Sequence, residues 1–213
     1  MEKKLYIFDL DGTLVNTVLD LNAGINYALN KHGYPSKSVD HTAHAIGNGI
    51  FVTLLRSLPI EDPEIAKELV SDFRAYYREH YLDNSVRYRG MLNTLKALKK
   101  NGCFLAVSTN KLDEIAKSMV SALYPDIFDA IQGDTGEAPI KPDPASINNI
   151  INMFQVDKEN TIYVGDSEVD ISTAINADVK LVLVDYGFHR SEDFLNDKSG
   201  IHIKRPNQLL KIS

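Results

Sequence analysis

Ile7-Phe8-Asp9-Leu10-Asp11-Gly12-Thr13-Leu14 is the stretch on which the fold of this chain turns. A short apolar run, Leu5 to Phe8, ends in two carboxylates one residue apart. Buried like charges repel, so a packed core does not select this arrangement. The carboxyl end of a strand in an open α/β sheet does, because ligands bind there. Residues i and i+2 of an extended chain face the same way, so Asp9 and Asp11 share one small space. Such a pair is stable if a cation neutralises it or one member holds a proton. Mg²⁺ suits oxygen ligands, and Gly12 permits a tight turn. The plainer alternative is a solvated turn. A calcium loop is excluded, because it wants a third acid or Asn at position 13 and Gly at 14.

Working outward, short apolar runs bounded by turn residues recur at Phe104 to Val107, Ala130-Ile131, Thr161 to Val164 and Val179 to Val184. They read as buried parallel strands. Helical patterns lie between most of them: Thr94 to Lys100, Asp113 to Leu123, Pro144 to Phe154 and Asp170 to Ala177. Strands alternating with helices predict an α/β fold with a doubly wound, Rossmann-like parallel sheet. One region breaks the alternation. From about Asn16 to Arg87 the pattern is helical with no clear strand. Val18, Leu21, Ile25 and Leu29 form one stripe, and Ile65, Leu69, Phe73 and Tyr76 another. The expected division is therefore 1–15 with 88–213 as the α/β core, and 16–87 as a helical insert after the first strand.

Three further clusters follow strand ends. Gly165-Asp166-Ser167-Glu168-Val169-Asp170 places a carboxylate after an apolar run. Asp166 would complete an oxygen-only metal site with Asp9, and Asp170, one helical turn on, would support it from behind. The plainer alternative is a helix cap at Asp166 or Ser167. Ser108-Thr109-Asn110-Lys111 offers hydroxyls and an amide to phosphate oxygens. Lys141-Pro142-Asp143-Pro144 holds an ammonium in a stiff loop, where it balances acids or phosphoryl charge. Each cluster alone is a weak signal. Their order is stronger, since one sheet edge collects all of them.

The net charge of −6 argues against a general nucleic-acid or anionic-membrane binder. The single cysteine, Cys103, allows no disulfide within the chain and fits a reducing compartment. No apolar stretch reaches the length of a membrane span, so no membrane partner is expected. The charged start Met1-Glu2-Lys3-Lys4 precedes an apolar run too short for a signal peptide, which predicts a cytoplasmic protein.

Together the set resembles the haloacid dehalogenase-like superfamily of phosphohydrolases. The matching positions are Asp9-x-Asp11-Gly12-Thr13-Leu14-Val15, Ser108-Thr109-Asn110, Lys141-Pro142 and Gly165-Asp166-Ser167-x-x-Asp170. Ile46-Gly47-Asn48-Gly49, Lys141-Pro142-Asp143-Pro144 and Asp185-Tyr186-Gly187 look like the phosphoglycolate phosphatase-like branch, whose cap domain the helical insert resembles. Asn16 and Asp178 depart from it, standing where many relatives carry Asp and Gly. The resemblance implies a Mg²⁺-dependent phosphatase acting on a small phosphorylated metabolite through an aspartyl-phosphate. It implies Asp9 as nucleophile, Asp11 as acid and base, and Thr109 and Lys141 as catalytic partners. Gly12, Thr109, Asn110 and Lys141 would hold phosphate. Asp9, Asp166 and the backbone carbonyl of Asp11 would hold the metal, with Asp170 behind them. A β-phosphoglucomutase-like sugar phosphomutase and a pyrophosphatase are the rivals of the same fold. A receiver-like phospho-accepting signalling domain is the rival of another class. Asp9 after the first strand and the large helical insert count against it.

Overall fold

The computed structural model describes residues 3–189 and 192–212, so Met1 and Glu2 of the charged start lie outside it. The elements run β1 Leu5–Phe8, β2 Val15–Asn16, α1 Val18–Lys31, α2 Val39–Ala45, α3 Ile50–Ser57, α4 Pro63–His80 and β3 Val86–Arg87. They continue with α5 Met91–Lys100, β4 Phe104–Leu112, α6 Asp113–Leu123, β5 Ala130–Asp134, α7 Ala145–Phe154 and β6 Thr161–Gly165. The last are α8 Glu168–Ala177, β7 Lys180–Val184, α9 Glu192–Leu195 and β8 Ile201–Ile203. Among the described residues six strands form one sheet in the order β5-β4-β1-β6-β7-β8, and every pairing in it is parallel. The α/β fold with a parallel sheet is as expected.

β1 shows why this sequence makes a central strand. Its four residues are all buried, and they alternate between faces. Tyr6 and Phe8 pack with Met91, Leu95, Met119 and Val120, whereas Leu5 and Ile7 pack with Ile147, Ile150, Ala174 and Leu183. An apolar run with no polar alternation belongs to a strand covered on both faces. The chain leaves β1 toward β4 and β5, then crosses back to β6, β7 and β8. The carboxyl ends of β1, β4 and β6 therefore meet where the winding reverses, which is where an α/β sheet opens a crevice.

The helices α1 to α4 build their own apolar cluster from Leu21, Ile25, Leu29, Leu54, Leu69 and Phe73, with Ile115 of α6 joining from the core. Two differences from the sequence reading appear here. The buried face of α4 is Ala66, Leu69, Phe73 and Tyr77 rather than the face ending at Tyr76. Tyr76 instead stacks on Tyr27, with ring centroids 4.6 Å apart. The region read as strand-free also contains an antiparallel two-residue ribbon, β2 with β3, which pairs Val15 with Arg87 and Asn16 with Val86. The helical segment thus leaves and rejoins the α/β part at one place. Asp178 closes α8 in the left-handed region at φ 57°, which is the conformation glycine adopts most freely and the reason Gly suits that position.

Candidate active site

Asp9 follows the last residue of β1, and its amide donates to the Val164 carbonyl of β6 at 2.8 Å. This continuation of the sheet turns the Asp9 carboxylate into the crevice. Asp166 follows β6 directly. Thr13 Oγ1 donates to Asp166 Oδ1 at 2.9 Å, and the Phe188 amide donates to Oδ2 at 2.7 Å. Two glycines make room for this side chain. A Cβ on Gly12, which has φ +88°, would lie 2.2 Å from Asp166 Oδ2, and one on Gly187 would lie 2.3 Å from Asp166 Cβ.

Asp170 closes the group. Carboxylate oxygens of Asp9, Asp166 and Asp170 lie within 4.8 Å of one another, all buried. Asp170 is nevertheless fully engaged. Its Oδ1 accepts from Lys141 Nζ and Tyr163 Oη, each at 2.8 Å. Its Oδ2 accepts from the amides of Asp166 and Ser167 and from Ser167 Oγ. Ser167 caps α8 in a reciprocal capping box with Asp170. The plainer cap reading is therefore realised by Ser167, which leaves the Asp166 side chain free to face Asp9.

Lys141 spans the acids. Its Nζ lies 2.8 Å from Asp9 Oδ1 and 2.8 Å from Asp170 Oδ1. Burial alone would lower this ammonium, but Asp170 and Asp9 outweigh it and hold it well above the ordinary lysine value. Asp170 responds in the opposite sense. Burial pushes it up, while Lys141 and the hydrogen bonds from Ser167 and Tyr163 bring it below the usual carboxylate value. Asp9 is pushed up to about 7, chiefly by burial, with the charges of Asp170 and Asp11 adding to it against the pull of Lys141. Burial, then Asp170 and Asp9, raise Asp166 well above its usual value. One ammonium thus serves three carboxylates. The shortfall is a cationic one, and it falls on Asp9 and Asp166. An all-oxygen pair short of positive charge fits a divalent metal ion.

Asp11 faces away from that pair. Its Oδ1 accepts from Thr17 Oγ1 at 2.6 Å and from Lys111 Nζ at 3.0 Å, and its Oδ2 lies 3.2 Å from the same Nζ. The two acids of the opening motif therefore have different partners. Thr109 lies on the crevice wall, whereas Ser108 points behind it to Ser146 Oγ at 2.7 Å. Asn110 also lines the crevice, with its side-chain amide engaged by backbone groups. Its Nδ2 donates to the carbonyls of Gly47 and Lys141, and its Oδ1 accepts from the Lys141 amide. It fixes the backbone of the Lys141 loop and the Ile46–Gly49 turn. His189 also reaches that turn, at the Ile46 carbonyl.

The crevice has a volume of about 80 Å³. That is far below the roughly 300–1,000 Å³ of drug-sized ligand sites, so it suits a metabolite of a few carbons. α1 and α4 wall it opposite the sheet with Leu21, Ile25, Phe73 and Tyr77. The sequence reading missed Lys111 and Tyr77 as part of this wall, along with Thr13, Thr17 and the Phe188 amide. Lys111 is the last residue of the Ser108–Lys111 cluster, which draws attention by its hydroxyls and amide rather than its ammonium. Thr13 and Thr17 lie in or just after the opening motif, whereas the Tyr77 and Phe188 contacts are made across the fold and carry no local signal.

The haloacid dehalogenase-like hydrolase family model matches residues 6–184. The chain is 32% identical to Phosphoglycolate phosphatase 1 of Pseudomonas aeruginosa over 97% of its own length and 78% of that protein. It is 36% identical to a phosphoglycolate phosphatase of Agrobacterium fabrum over 86% of its length and 81% of that protein. A solved structure described as a predicted phosphoglycolate phosphatase from Haemophilus somnus 129pt superposes with a TM-score of 0.88. That pair shares 31% identity and covers 99% and 98% of the two chains.

Proposed function

From the premise that this chain belongs to the haloacid dehalogenase-like hydrolases and is a phosphatase, we propose that it is Mg²⁺-dependent, works through an aspartyl-phosphate and hydrolyses 2-phosphoglycolate. The observation that carries the reading is the unequal treatment of the two acids in the opening motif. Asp9 sits beside Asp166 and Lys141, whereas Asp11 is turned toward Thr17 and Lys111.

Asp9 and Asp166 would hold the metal through their carboxylates, and Asp11 would add only its backbone carbonyl. The ion supplies positive charge that lets an anionic nucleophile approach an anionic phosphate. The chain's own residues do the rest. Asp9 attacks phosphorus, the ester oxygen leaves, and a covalent acyl phosphate forms. Asp11 gives the departing alkoxide its proton, then takes one from the water that hydrolyses the intermediate. Lys141 steadies Asp9 and offsets the charge of the transferred group, and Thr109 donates its hydroxyl to a phosphoryl oxygen. Gly12 lets the backbone approach the group closely. The helices α1 to α4 act as a cap, which excludes water and selects the substrate from the side opposite the sheet.

D9N tests the reading. The Asn retains size and hydrogen bonding, and Lys141 keeps Asp170 as partner, so the fold should persist while phosphate release from 2-phosphoglycolate stops. Substantial release by D9N removes the nucleophile assignment, and release indifferent to chelator removes the metal. Isomerised sugar phosphate in place of free phosphate would favour the mutase.

A further inference from the structure

The Lys111 ammonium is buried in the crevice wall at the end of β4. It lies 3.0 Å from Asp11 Oδ1 and 2.9 Å from the Tyr77 hydroxyl of α4, with the Tyr77 ring centroid 4.7 Å away. The phosphatase reading gives Asp11 a task that this pairing obstructs. Asp11 has to present an oxygen to the leaving group. Thr17 holds Oδ1 at 2.6 Å, so the oxygen free to turn is Oδ2, which Lys111 touches at 3.2 Å. When Oδ2 turns away, Lys111 loses part of its counter-charge inside the protein, and a buried charge without a partner is costly.

We propose that Lys111 is a specificity residue that exchanges counter-ions. Its ammonium leaves Asp11 Oδ2 for a second anionic group on the substrate, the carboxylate of a short phosphorylated hydroxy acid. The inference rests on the phosphatase reading and adds to it the residue that reads the alcohol half of the ester. The other cations around the crevice leave this task to Lys111. Lys141 is spent on Asp9 and Asp170, Arg78 on Glu114 and His189 on Glu168. Arg74 also lines the crevice but is exposed to water, whereas the Lys111 ammonium is buried in its wall. A substrate with a carboxylate restores the pairing that Asp11 gives up. A neutral substrate of the same length leaves Lys111 short. Discrimination of this kind, where a site is left with an unmatched polar group, is large compared with discrimination by size. Because Tyr77 comes from α4 and Lys111 from β4, the clasp is assembled only when helical layer and sheet are together.

The test compares 2-phosphoglycolate with 2-hydroxyethyl phosphate, in which a hydroxymethyl group replaces the carboxylate, on the full chain with Mg²⁺. The wild type should favour the acid by roughly 30-fold or more in kcat/KM. K111M should bring that ratio to within about threefold of one, and K111R should restore most of it. K111Q, which keeps a polar head without the charge, serves if K111M does not fold. Turnover of both esters by the wild type with no preference overturns the inference alone. So does a Lys111 variant that slows both esters by the same factor, since a merely structural lysine would do that. Turnover of neither ester, nor of p-nitrophenyl phosphate, overturns the phosphatase reading and the inference with it.

Discussion

Removing metal should make the stability of this protein fall as pH rises through the range where most proteins are steady. Asp9 is raised to about 7 in the folded chain from an ordinary value of 3.8. Between those values the folded state holds a proton at Asp9 that the unfolded state has released. This contribution to stability therefore declines with a slope near 1.4 kcal/mol per pH unit, is full below about pH 4 and is lost above about pH 7. The whole difference is about 4 kcal/mol, of which about 3 kcal/mol falls between pH 5 and pH 8. Asp166 is raised for the same reason and adds in the same direction. His41, lowered mainly by burial, acts the other way below its ordinary value of 6.5. The assay is urea unfolding of chelated protein at pH 5, 6, 7 and 8 at fixed ionic strength, with D9N beside the wild type. Asn has no proton to gain, so the wild type minus D9N difference isolates Asp9 and should shrink by about 3 kcal/mol across that series. Added Mg²⁺ should stabilise the wild type more at pH 8 than at pH 5, because its ligands must be ionised. A difference that is flat from pH 5 to pH 8 would refute the picture of an acid group short of positive charge.

G12A forces a left-handed backbone at φ +88° on a residue with a Cβ that would lie 2.2 Å from Asp166 Oδ2. It should cost about 1–3 kcal/mol in thermal unfolding and lower kcat/KM at least about tenfold, because Asp166 must move. D170N leaves a buried amide against donors on both sides, where Lys141, Tyr163 and Ser167 now find acceptors. A loss of about 2–3 kcal/mol by urea unfolding is expected, and Lys141, freed from one anchor, should slow turnover more than about tenfold. D20A should cost about 3 kcal/mol without touching the crevice. Asp20 is buried in α1 and accepts from the amides of Asn84 and Ser85 and from the Ser85 hydroxyl, all of which would lose their acceptor. An unchanged urea midpoint in D20A would show that this junction beside β3 is not held by Asp20.

Most of the strands that the sequence reveals are buried on both faces, whereas β5, also predicted, is half-buried at the sheet edge. Leu5–Phe8 and Thr161–Gly165 are buried throughout, and their ends carry the acids that draw attention to them. The apolar pattern predicts β4 only as far as Val107, because Ser108, Thr109 and Asn110 read as a polar turn, although the strand continues to Leu112. β8 and the β2–β3 ribbon are two or three residues long and carry no period that a pattern can register. Within the site, side chains that announce chemistry by type and position were legible. What surrounds Asp166 was not, since Phe188 contributes a backbone amide and Gly187 contributes the absence of a side chain. The phase of α4 decided Tyr77. An error of one residue along a helix rotates the face by about 100° and exchanges a residue of the crevice wall for one that stacks outside it.

The position of β1 in the sheet governs the order in which this molecule can be made. Leu5 pairs with Phe104 on one side and with Thr161 on the other. The first of these six strands to leave a ribosome is therefore the one whose both edges wait longest for partners. Its unpaired amides and carbonyls, together with four side chains destined for the interior, are a hazard for association between nascent chains. The helices α1 to α4 make their contacts within one stretch of chain, and low sequence separation favours early formation. They can be compact while Asp9 still hangs from an unpaired segment. Maturation of the acid cluster is thus a late event in biosynthesis, completed only when residues beyond Asp166 are available. A chain truncated before β6 should hold its helical layer and lack the acid cluster altogether.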